Sequence, residues 1–342
     1  MTGRSTAAII LAAGQGSRMK SKRAKVLHKI AGLEMVRHAV RSVREAGFQQ
    51  IYVVVGHQAD AVRQVLDDDV VSVEQSEQLG TGHAVDQCRA ALAGFEGSIL
   101  VTYGDTPLFR ASTFARLMDY HQEVGAAATV LTARVDDPTG YGRIIRDCAG
   151  NVKGIVEHKD ASASERLINE INTGTYCFDS QLLFKYLTQI TPDNAQGEYY
   201  LPDVLPLMIK DGHKAAGFVM EDPQESMGVN DRVQLAEAER IMQERIREEL
   251  MLQGVTIIDP NSTYIELGCS IGQDTVIYPQ TVIQAGTIIG EDCVIGPSCR
   301  LSNSLIGKGA RVEFSVVVDS EVGDFIQINP FSVVKNCKKV EG

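Results

Sequence analysis

The chain has 342 residues, 44% of them hydrophobic, and a net charge of −11. This length suits two domains with buried cores, since one domain takes about 100–200 residues, and the acidic balance argues against binding a long polyanion such as nucleic acid. No apolar run is long enough to span a membrane and the N-terminus lacks signal-peptide features, so we expect a cytoplasmic protein. The seven cysteines form no C-x-x-C pair, and we interpret them as reduced residues rather than as zinc or disulfide sites.

The first part of the chain alternates short apolar runs with amphipathic stretches. Ala7–Ala12, Ile51–Val55 and Ser98–Tyr103 predict buried strands. Leu33–Ala46 and Ala59–Leu66 have the apolar spacing of helices. This alternation predicts βαβ units around a mostly parallel sheet, and ligands of such sheets bind at the carboxyl ends of the strands.

The loop after the first predicted strand is rich in glycine and in positive charge. Gly14 and Gly16 follow the strand, and no acid interrupts the basic residues Arg18, Lys20, Lys22, Arg23, Lys25 and Lys29. The spacing matches neither the dinucleotide-binding fingerprint nor the Walker A loop. Such a loop suits the phosphates of a small anionic ligand, although a tight turn with a solvated surface has the same composition.

The chain changes character in its last third. Residues 231–253 are charged and lack glycine and proline, which predicts a linker helix. Beyond it, an apolar residue recurs at every sixth position, with one slip in phase, at Ile265, Ile271, Ile277, Ile283, Ile289, Ile295, Leu301, Val316, Val322, Ile328 and Val334. This period is typical of a parallel β-helix. The predicted domains are therefore an α/β domain at 1–230, the linker helix at 231–253 and a truncated β-helix at 254–342.

Several strings carry a resemblance to a known family. They are Leu79–Ala84, Tyr103–Leu108, Gly140–Ile144, Val156–Asp160, Glu170–Gly174, Asn194–Tyr200, Val229–Asn230 and the Gly-rich loop. Over nearly all of residues 6–335 the sequence resembles the uridyltransferase half of the bacterial bifunctional N-acetylglucosamine-1-phosphate uridyltransferase/glucosamine-1-phosphate acetyltransferases, the GlmU family. The resemblance implies a Rossmann-like nucleotidyltransferase domain, a short left-handed β-helix of hexapeptide repeats, and a homotrimer.

The resemblance also implies an activity. UMP would pass from UTP to N-acetylglucosamine-1-phosphate with release of pyrophosphate, yielding UDP-N-acetylglucosamine for peptidoglycan and lipopolysaccharide precursors. Mg²⁺ would be held by Asp105 and Asn230, a small ligand set that water and substrate phosphates complete. Lys25 would neutralise phosphate in the transition state, and Arg18 would contact the leaving pyrophosphate. Simpler interpretations are a turn residue for Asp105 and a cap of the following helix for Asn230.

The substrate-binding residues implied by the resemblance follow the same strings. For the nucleotide they are Leu11, Ala12, Ala13, Gly14, Lys25, Gln75, Gly80 and Thr81. For the sugar phosphate and the metal they are Tyr103, Gly104, Asp105, Gly142, Glu157, Asn172 and Asn230. Gln75 can both donate and accept, as the uracil edge requires, and the carboxylate and amide of Glu157 and Asn172 can bind sugar hydroxyls and an N-acetyl group.

The sequence departs from the family pattern in a few places. Ala24 stands where proline is usual, and Ser17 stands where threonine is common. The chain ends at Gly342, before the motifs of the acetyltransferase site, and has no histidine after His213, so we expect no acetyl transfer. Two alternatives stay open: a nucleotidyltransferase for another sugar phosphate or nucleotide, and a non-catalytic regulatory or assembly subunit with the same fold.

Overall fold

The computed structural model describes residues 5–148, 150–194, 196–338 and 340. Ala195, which belongs to one of the strings that carry the family resemblance, lies outside the described residues. The chain divides into two compact units, one formed by residues 1–28 and 34–234 and the other by residues 29–33 and 235–342. Within the described residues, no helix is long and apolar enough to cross a membrane.

The first unit is built around one mixed sheet. The strands up to residue 219 are β1 (Ser5–Ala12), β2 (Lys29–Ile30), β3 (Leu33–Glu34), β4 (Gln50–Val55), β5 (Val71–Glu74), β6 (Gly97–Tyr103), β7 (Ala128–Arg134), β8 (Arg143–Arg146), β9 (Val152–Val156), β10 (Glu170–Asp179) and β11 (Ala215–Val219). The helices are α1 (Met35–Glu45), α2 (Ala59–Arg63), α3 (Thr81–Asp86), α4 (Ala111–Glu123), α5 (Ser180–Leu187) and α6 (Val204–Lys210). The predicted strands and the helix predicted at 33–46 agree with these bounds within two residues, whereas the helix predicted at 59–66 ends three residues earlier, at Arg63.

The main sheet has the order β11-β7-β10-β6-β1-β4-β5 and is mostly parallel, as the sequence predicts. Alternate side chains of the central strand β1 enter two different cores, because successive residues of a strand point to opposite faces. Ile9 is fully buried against α3, α5 and α6 on one face, and Ile10 is fully buried against α1 and α4 on the other. This double burial explains why β1 is continuously apolar rather than alternating.

Strand β10 is the exception to the parallel arrangement. It runs antiparallel to both β6 and β7, so its first residues lie at the edge where the parallel strands end. The register against β7 shifts between Asn172 and Tyr176, which marks a bulge. Gly174 lies in this bulge with φ +81°, and a Cβ there would come within 2.6 Å of the Tyr103 ring. Glycine is therefore required at this position both for its conformation and for its space.

The second unit consists of a long helix and stacked short strands. The helix is α7 (Arg232–Leu252), which matches the predicted linker helix. The strands are β12 (Thr256–Ile257), β13 (Tyr264–Ile265), β14 (Ser270–Ile271), β15 (Val276–Ile277), β16 (Val282–Ile283), β17 (Ile288–Ile289), β18 (Val294–Ile295), β19 (Arg300–Ser302), β20 (Leu305–Ile306), β21 (Arg311–Val312), β22 (Val316–Val318), β23 (Glu321–Val322), β24 (Gln327–Ile328) and β25 (Val333–Lys335). They pair in parallel into three sheets, as in a left-handed β-helix of hexapeptide repeats.

The apolar residues of the hexapeptide period form the core of the β-helix. Ile265, Ile277 and Ile283 are fully buried in it, whereas β-strand neighbours on either side are more exposed. Residues 29–33 join this unit, because the Ala31 N–H donates to the Glu239 carboxylate over 2.8 Å and the Ala31 carbonyl accepts from the Leu267 N–H over 3.0 Å.

The predicted register after Leu301 is wrong in one place. The inward residue of β22 is Val317, which is fully buried, and not Val316, which is only half-buried. The slip arises because the corners at Asn303, Phe314 and Asp319 are one residue shorter than the others, so each step there takes five residues instead of six. The sequence pattern therefore also misses Ile306 and Val312, both of which are buried.

The corrected register can be tested by a matched pair of substitutions. Val317→Ala should lower the free energy of unfolding by about 1–3 kcal/mol, because it removes buried methyl groups and leaves a cavity. Val316→Ala, one residue away on the half-exposed side, should cost less than about 1 kcal/mol. Chemical unfolding followed by circular dichroism measures both. A larger loss for Val316→Ala than for Val317→Ala would contradict the register.

Candidate active site

The Gly-rich loop delivers Lys25 to the carboxyl edge of the sheet. After β1 the chain turns through two short 3-10 segments, Ser17–Met19 and Lys25–Leu27. Gly16 has φ +63°, and a Cβ there would lie 2.5 Å from the Lys25 Cβ. Glycine thus allows the loop to fold closely over the lysine stem. Lys20, Lys22, Arg23 and Lys29 are exposed, whereas the Lys25 side chain is only 13% exposed, so the basic run of the sequence separates into one inward and several outward residues.

Lys25 meets two side-chain oxygens that come from distant parts of the chain. Its ammonium forms an ion pair with the Asp105 carboxylate and donates to the Asn230 Oδ1 over 3.2 Å. The Arg18 guanidinium donates to the same Asn230 oxygen over 2.9 Å. The four predicted residues of the metal and phosphate site therefore form one contiguous charge cluster. We call Arg18, Lys25, Asp105 and Asn230 the charge cluster below.

The local backbone explains why Asn230 faces this cluster. The Val229 N–H donates to the Asp105 carbonyl over 2.9 Å, which ties the two loops together. The helix that follows is capped by Asp231, whose carboxylate accepts from the N–H groups of Val233 and Gln234. The simpler interpretation of Asn230 as the helix cap is therefore wrong, and its side-chain oxygen is left for Lys25 and Arg18.

The chemistry of the two oxygens fits a hard divalent cation. A carboxylate and an amide oxygen, of Asp105 and Asn230, surround a single cationic group, the Lys25 ammonium, and so lie within reach of one ion. Among the described residues, no group of three or more His, Cys, Asp and Glu side chains could hold a metal. An ion at this place would consequently take most of its ligands from water and from substrate phosphates.

A cavity of about 540 Å³ opens beside the charge cluster. Arg18, Asp105 and Asn230 of the charge cluster line it together with Tyr103, Gly142, Glu157 and Asn172. It adjoins a second cavity of about 360 Å³, which shares Tyr103, Glu157 and Asn172 and adds aromatic walls from Tyr176 and Tyr200. The residues predicted for the sugar side are thus brought together with those predicted for the phosphates.

The convergence of the sugar-side residues follows from the antiparallel strands. Asn172 lies at the start of β10, and its N–H donates to the Gly142 carbonyl over 2.8 Å. Glu157 follows the end of β9, whose last residue pairs with Arg143 at the start of β8. A Cβ on Gly142 would lie 3.0 Å from the Glu157 carboxylate, so only glycine leaves this approach free.

Glu157 is held in an unusual electrostatic environment for a carboxylate. Burial raises its pKa above the ordinary value of 4.5, and the negative charges of Asp160 and Asp203 raise it further. The positive charge of Arg143 acts in the opposite direction. Burial also raises the pKa of Asp203. Glu157 therefore lies in a local concentration of negative charge.

The residues predicted for the nucleotide lie outside the two cavities, apart from Thr81. Leu11, Ala12 and Ala13 are buried at the end of β1, and Gly14 is exposed with open space where a side chain would be. Gln75 is buried, and its amide NH₂ donates to the Gly80 carbonyl over 3.1 Å and contacts His83 Nδ1 at 3.0 Å. Gly104 donates its N–H to the Leu11 carbonyl.

Three residues of the site were not singled out from the sequence. Tyr176 lines the second cavity and donates its hydroxyl to the Asn172 Oδ1 over 3.0 Å. Arg143 is buried, donates to the Tyr141 carbonyl and contacts His158 Nδ1 at 3.2 Å, while its buried Nε finds no acceptor in the described chain. Asp203 acts on Glu157 through its charge. The sequence offered one indication of these residues: Arg143 directly follows Gly142 in a string that carries the family resemblance.

The chain combines a mostly parallel sheet, which carries the charge cluster at its carboxyl edge, with a hexapeptide β-helix. These features define it as a nucleotidyltransferase joined to a hexapeptide-repeat domain. The family models agree: residues 8–171 match the MobA-like NTP transferase domain, and residues 268–303 match the bacterial transferase hexapeptide of six repeats.

Similar proteins cover almost the whole chain. The protein named "Bifunctional protein GlmU" of Halalkalibacterium halodurans is 52% identical over 333 residues, which are 97% of this chain and 73% of that protein. Proteins of the same name from Listeria monocytogenes and Pelotomaculum thermopropionicum are 50% and 51% identical over 95% and 96% of this chain and 71% and 72% of their own lengths. The chain belongs to the GlmU family.

The raised pKa of Glu157 predicts a pH-dependent cost in stability. Between its ordinary and its raised pKa the folded protein binds more protons than the unfolded chain, so this group makes stability fall as pH rises through that window. Glu157→Gln should therefore be more stable than the wild type at pH 7 and lose this advantage below the ordinary pKa. Thermal unfolding between pH 4 and pH 8 measures the difference, with the exposed Glu248→Gln as control. A Glu157→Gln variant less stable than the wild type at pH 7 would contradict the raised pKa of Glu157.

Proposed function

We propose that the chain transfers UMP from UTP to N-acetylglucosamine-1-phosphate and releases pyrophosphate, forming the UDP-N-acetylglucosamine used in peptidoglycan and lipopolysaccharide precursors. One observation carries the proposal: Lys25 and Arg18 converge with the oxygens of Asp105 and Asn230 beside a cavity that Glu157 and Asn172 also line. Membership of the GlmU family supports it.

The chemical step requires positioning and neutralisation of charge rather than proton transfer. The attacking oxygen of the sugar phosphate is already anionic, so no general base is assigned. Lys25 would move from Asp105 to the phosphates and neutralise charge as the α-phosphorus is attacked, and Arg18 would hold the pyrophosphate that leaves. Mg²⁺ bound by Asp105 and Asn230 would offset the negative charge of the triphosphate.

The sugar would lie against the cavity wall. Glu157 offers acceptors to sugar hydroxyls or an amide N–H, and Asn172 offers its amide NH₂. Burial and the neighbouring charges of Asp105 and Glu157 raise the pKa of Tyr103, so its phenol stays neutral beside the anionic substrate. Gly142 leaves room for the sugar ring in the same way that it leaves room for Glu157.

The uridine would lie over the end of β1. The backbone at Leu11–Gly14 is the close-packed floor, and the open space at Gly14 admits a planar ring. The Gln75 amide donates to the Gly80 carbonyl, and the Thr81 hydroxyl accepts from the Leu201 N–H over 3.0 Å. Both hydrogen bonds fix the segment at Gly80 and Thr81, which would contact the base. The Gly104 N–H donates to the Leu11 carbonyl, so this part of the backbone lies next to Asp105.

We also propose assembly into a homotrimer through the β-helix. Ile288 and Leu305 pair as neighbours on adjacent coils and are 50% and 44% exposed, which leaves an apolar stripe for a second copy to cover. A sedimentation experiment measures the oligomer directly.

The expectation that this chain lacks acetyl transfer stays a prediction, and adding acetyl-CoA with glucosamine-1-phosphate to the activity assay tests it.

The proposed reaction predicts a strict requirement for Asp105. Asp105→Asn keeps the shape but removes the negative charge, so pyrophosphate release from UTP and N-acetylglucosamine-1-phosphate should fall by about 10²–10³-fold. Asp119→Asn, which removes an exposed carboxylate of α4, is the matched control and should stay within about twofold of the wild type. Chelation of divalent cations should abolish turnover in all three proteins.

The assay is run with four nucleoside triphosphates and several sugar-1-phosphates. Preference for another pair would replace the proposed substrates and keep the class of reaction. Nucleotide binding without turnover on any pair would favour the non-catalytic subunit. Unchanged turnover by Asp105→Asn would contradict the role of the charge cluster.

A further inference from the structure

The amide of Asn172 is locked in one orientation. Its Oδ1 accepts two hydrogen bonds, one from the Gly174 N–H over 3.0 Å and one from the Tyr176 hydroxyl over 3.0 Å. An amide oxygen has two lone pairs, so both are used. The NH₂ group is then turned to the opposite side, and no acceptor for it is recorded in the described part of the chain. Asn172 lines both cavities, so an NH₂ group on the side away from Gly174 and Tyr176 would face them.

The lock is rigid because the bulge in β10 is itself fixed. The Thr173 hydroxyl donates to the Leu131 carbonyl over 2.7 Å, and the hydroxyls of Thr175 and Thr102 lie 3.0 Å apart. The bulge brings Asn172 and Tyr176, four residues apart, into contact on the same side of the strand. Burial raises the pKa of the Tyr176 phenol well above its ordinary value, so the phenol is a donor over the whole working range of pH.

The cavity consequently presents donors and acceptors in a fixed arrangement. Asn172 can only donate toward the cavity, while the carboxylate of Glu157 can only accept once it is ionised. A secondary amide offers the complement of both, a carbonyl oxygen and an N–H. A free amine, protonated at neutral pH, offers N–H groups alone and leaves the Asn172 donor without an acceptor, which is costly in a shielded site.

We infer that Tyr176 is a positioning residue, which holds the Asn172 amide so that its NH₂ faces the sugar and thereby selects N-acylated sugar phosphates over those with a free amine. The inference rests on the proposed function, since it names how the sugar side of that same site discriminates. Tyr176 acts through Asn172 and its hydroxyl has no part in the transfer of the nucleotide.

The test compares two buried tyrosines that each lose one hydrogen bond. Tyr176→Phe should raise the KM for N-acetylglucosamine-1-phosphate by roughly two- to tenfold, the worth of one hydrogen bond, and leave the KM for UTP and kcat within about twofold. Its preference for N-acetylglucosamine-1-phosphate over glucosamine-1-phosphate should shrink. Tyr186→Phe is the control: Tyr186 is equally buried and donates to Asp211 over 2.6 Å, remote from the cavities, so it should lose stability without changing either KM.

A double-mutant cycle shows whether the effect passes through Asn172. In an Asn172→Ala background, Tyr176→Phe should no longer change the KM for the sugar phosphate. An equal effect in both backgrounds, an equal rise in the KM for UTP, or an unchanged KM in Tyr176→Phe would each overturn the inference. A wild type without turnover on N-acetylglucosamine-1-phosphate would instead overturn the proposed function, and the selectivity with it.

Asn172→Asp gives a second test that leaves Tyr176 in place. The new carboxylate can still accept from Tyr176 and Gly174, but it turns an acceptor instead of a donor toward the cavity. The ratio of kcat/KM for the acylated over the amino sugar phosphate should fall by at least about tenfold, because the ammonium now finds a partner. An unchanged ratio in a folded Asn172→Asp protein would show that the amide does not face the sugar and would overturn the inference.

Discussion

The ammonium of Lys25, placed between the oxygens of Asp105 and Asn230, is the contact on which the candidate site depends. It joins the loop after β1, the loop after β6 and the segment before α7, which are remote in sequence. Two of these loops follow neighbouring parallel strands, and the third is tied to Asp105 by the Val229 N–H. A contact of this kind forms only when the sheet is complete, so the fold and the site are assembled together.

The distribution of charge around this contact matches the proposed chemistry. In this acidic protein two positive charges of the Gly-rich loop, on Arg18 and the half-buried Lys25, meet a carboxylate and an amide oxygen at the carboxyl edge of the sheet. The cavity wall behind it retains Glu157 near Asp160 and Asp203, although burial and like charges disfavour the ionised form. Such an arrangement costs stability, and a site that must bind both phosphates and sugar hydroxyls gives a physical reason to keep it.

Much of the fold could be predicted from the sequence because its patterns are local. The apolar run of β1 and the six-residue period of the β-helix each report burial directly, and both are confirmed. The register at Val317 could not be predicted, since it depends on the length of the corner at Phe314, and phenylalanine also occupies the corners at Phe325 and Phe331, where the step takes six residues. The orientation of the Asn172 amide could not be predicted from the sequence either, because it depends on the antiparallel strand β10, on its bulge and on the Tyr176 hydroxyl. For the charge cluster, the resemblance named the residues, and the structure supplied their contacts.

The most direct measurement is the position of a divalent cation in a crystal of the protein with UTP and Mn²⁺, located by anomalous scattering. The account predicts a single peak bonded to the Asp105 carboxylate and the Asn230 Oδ1, with the Lys25 ammonium moved from Asp105 to a phosphate oxygen. A cation bound elsewhere, or a Lys25–Asp105 ion pair that persists beside bound UTP, would contradict the central claim.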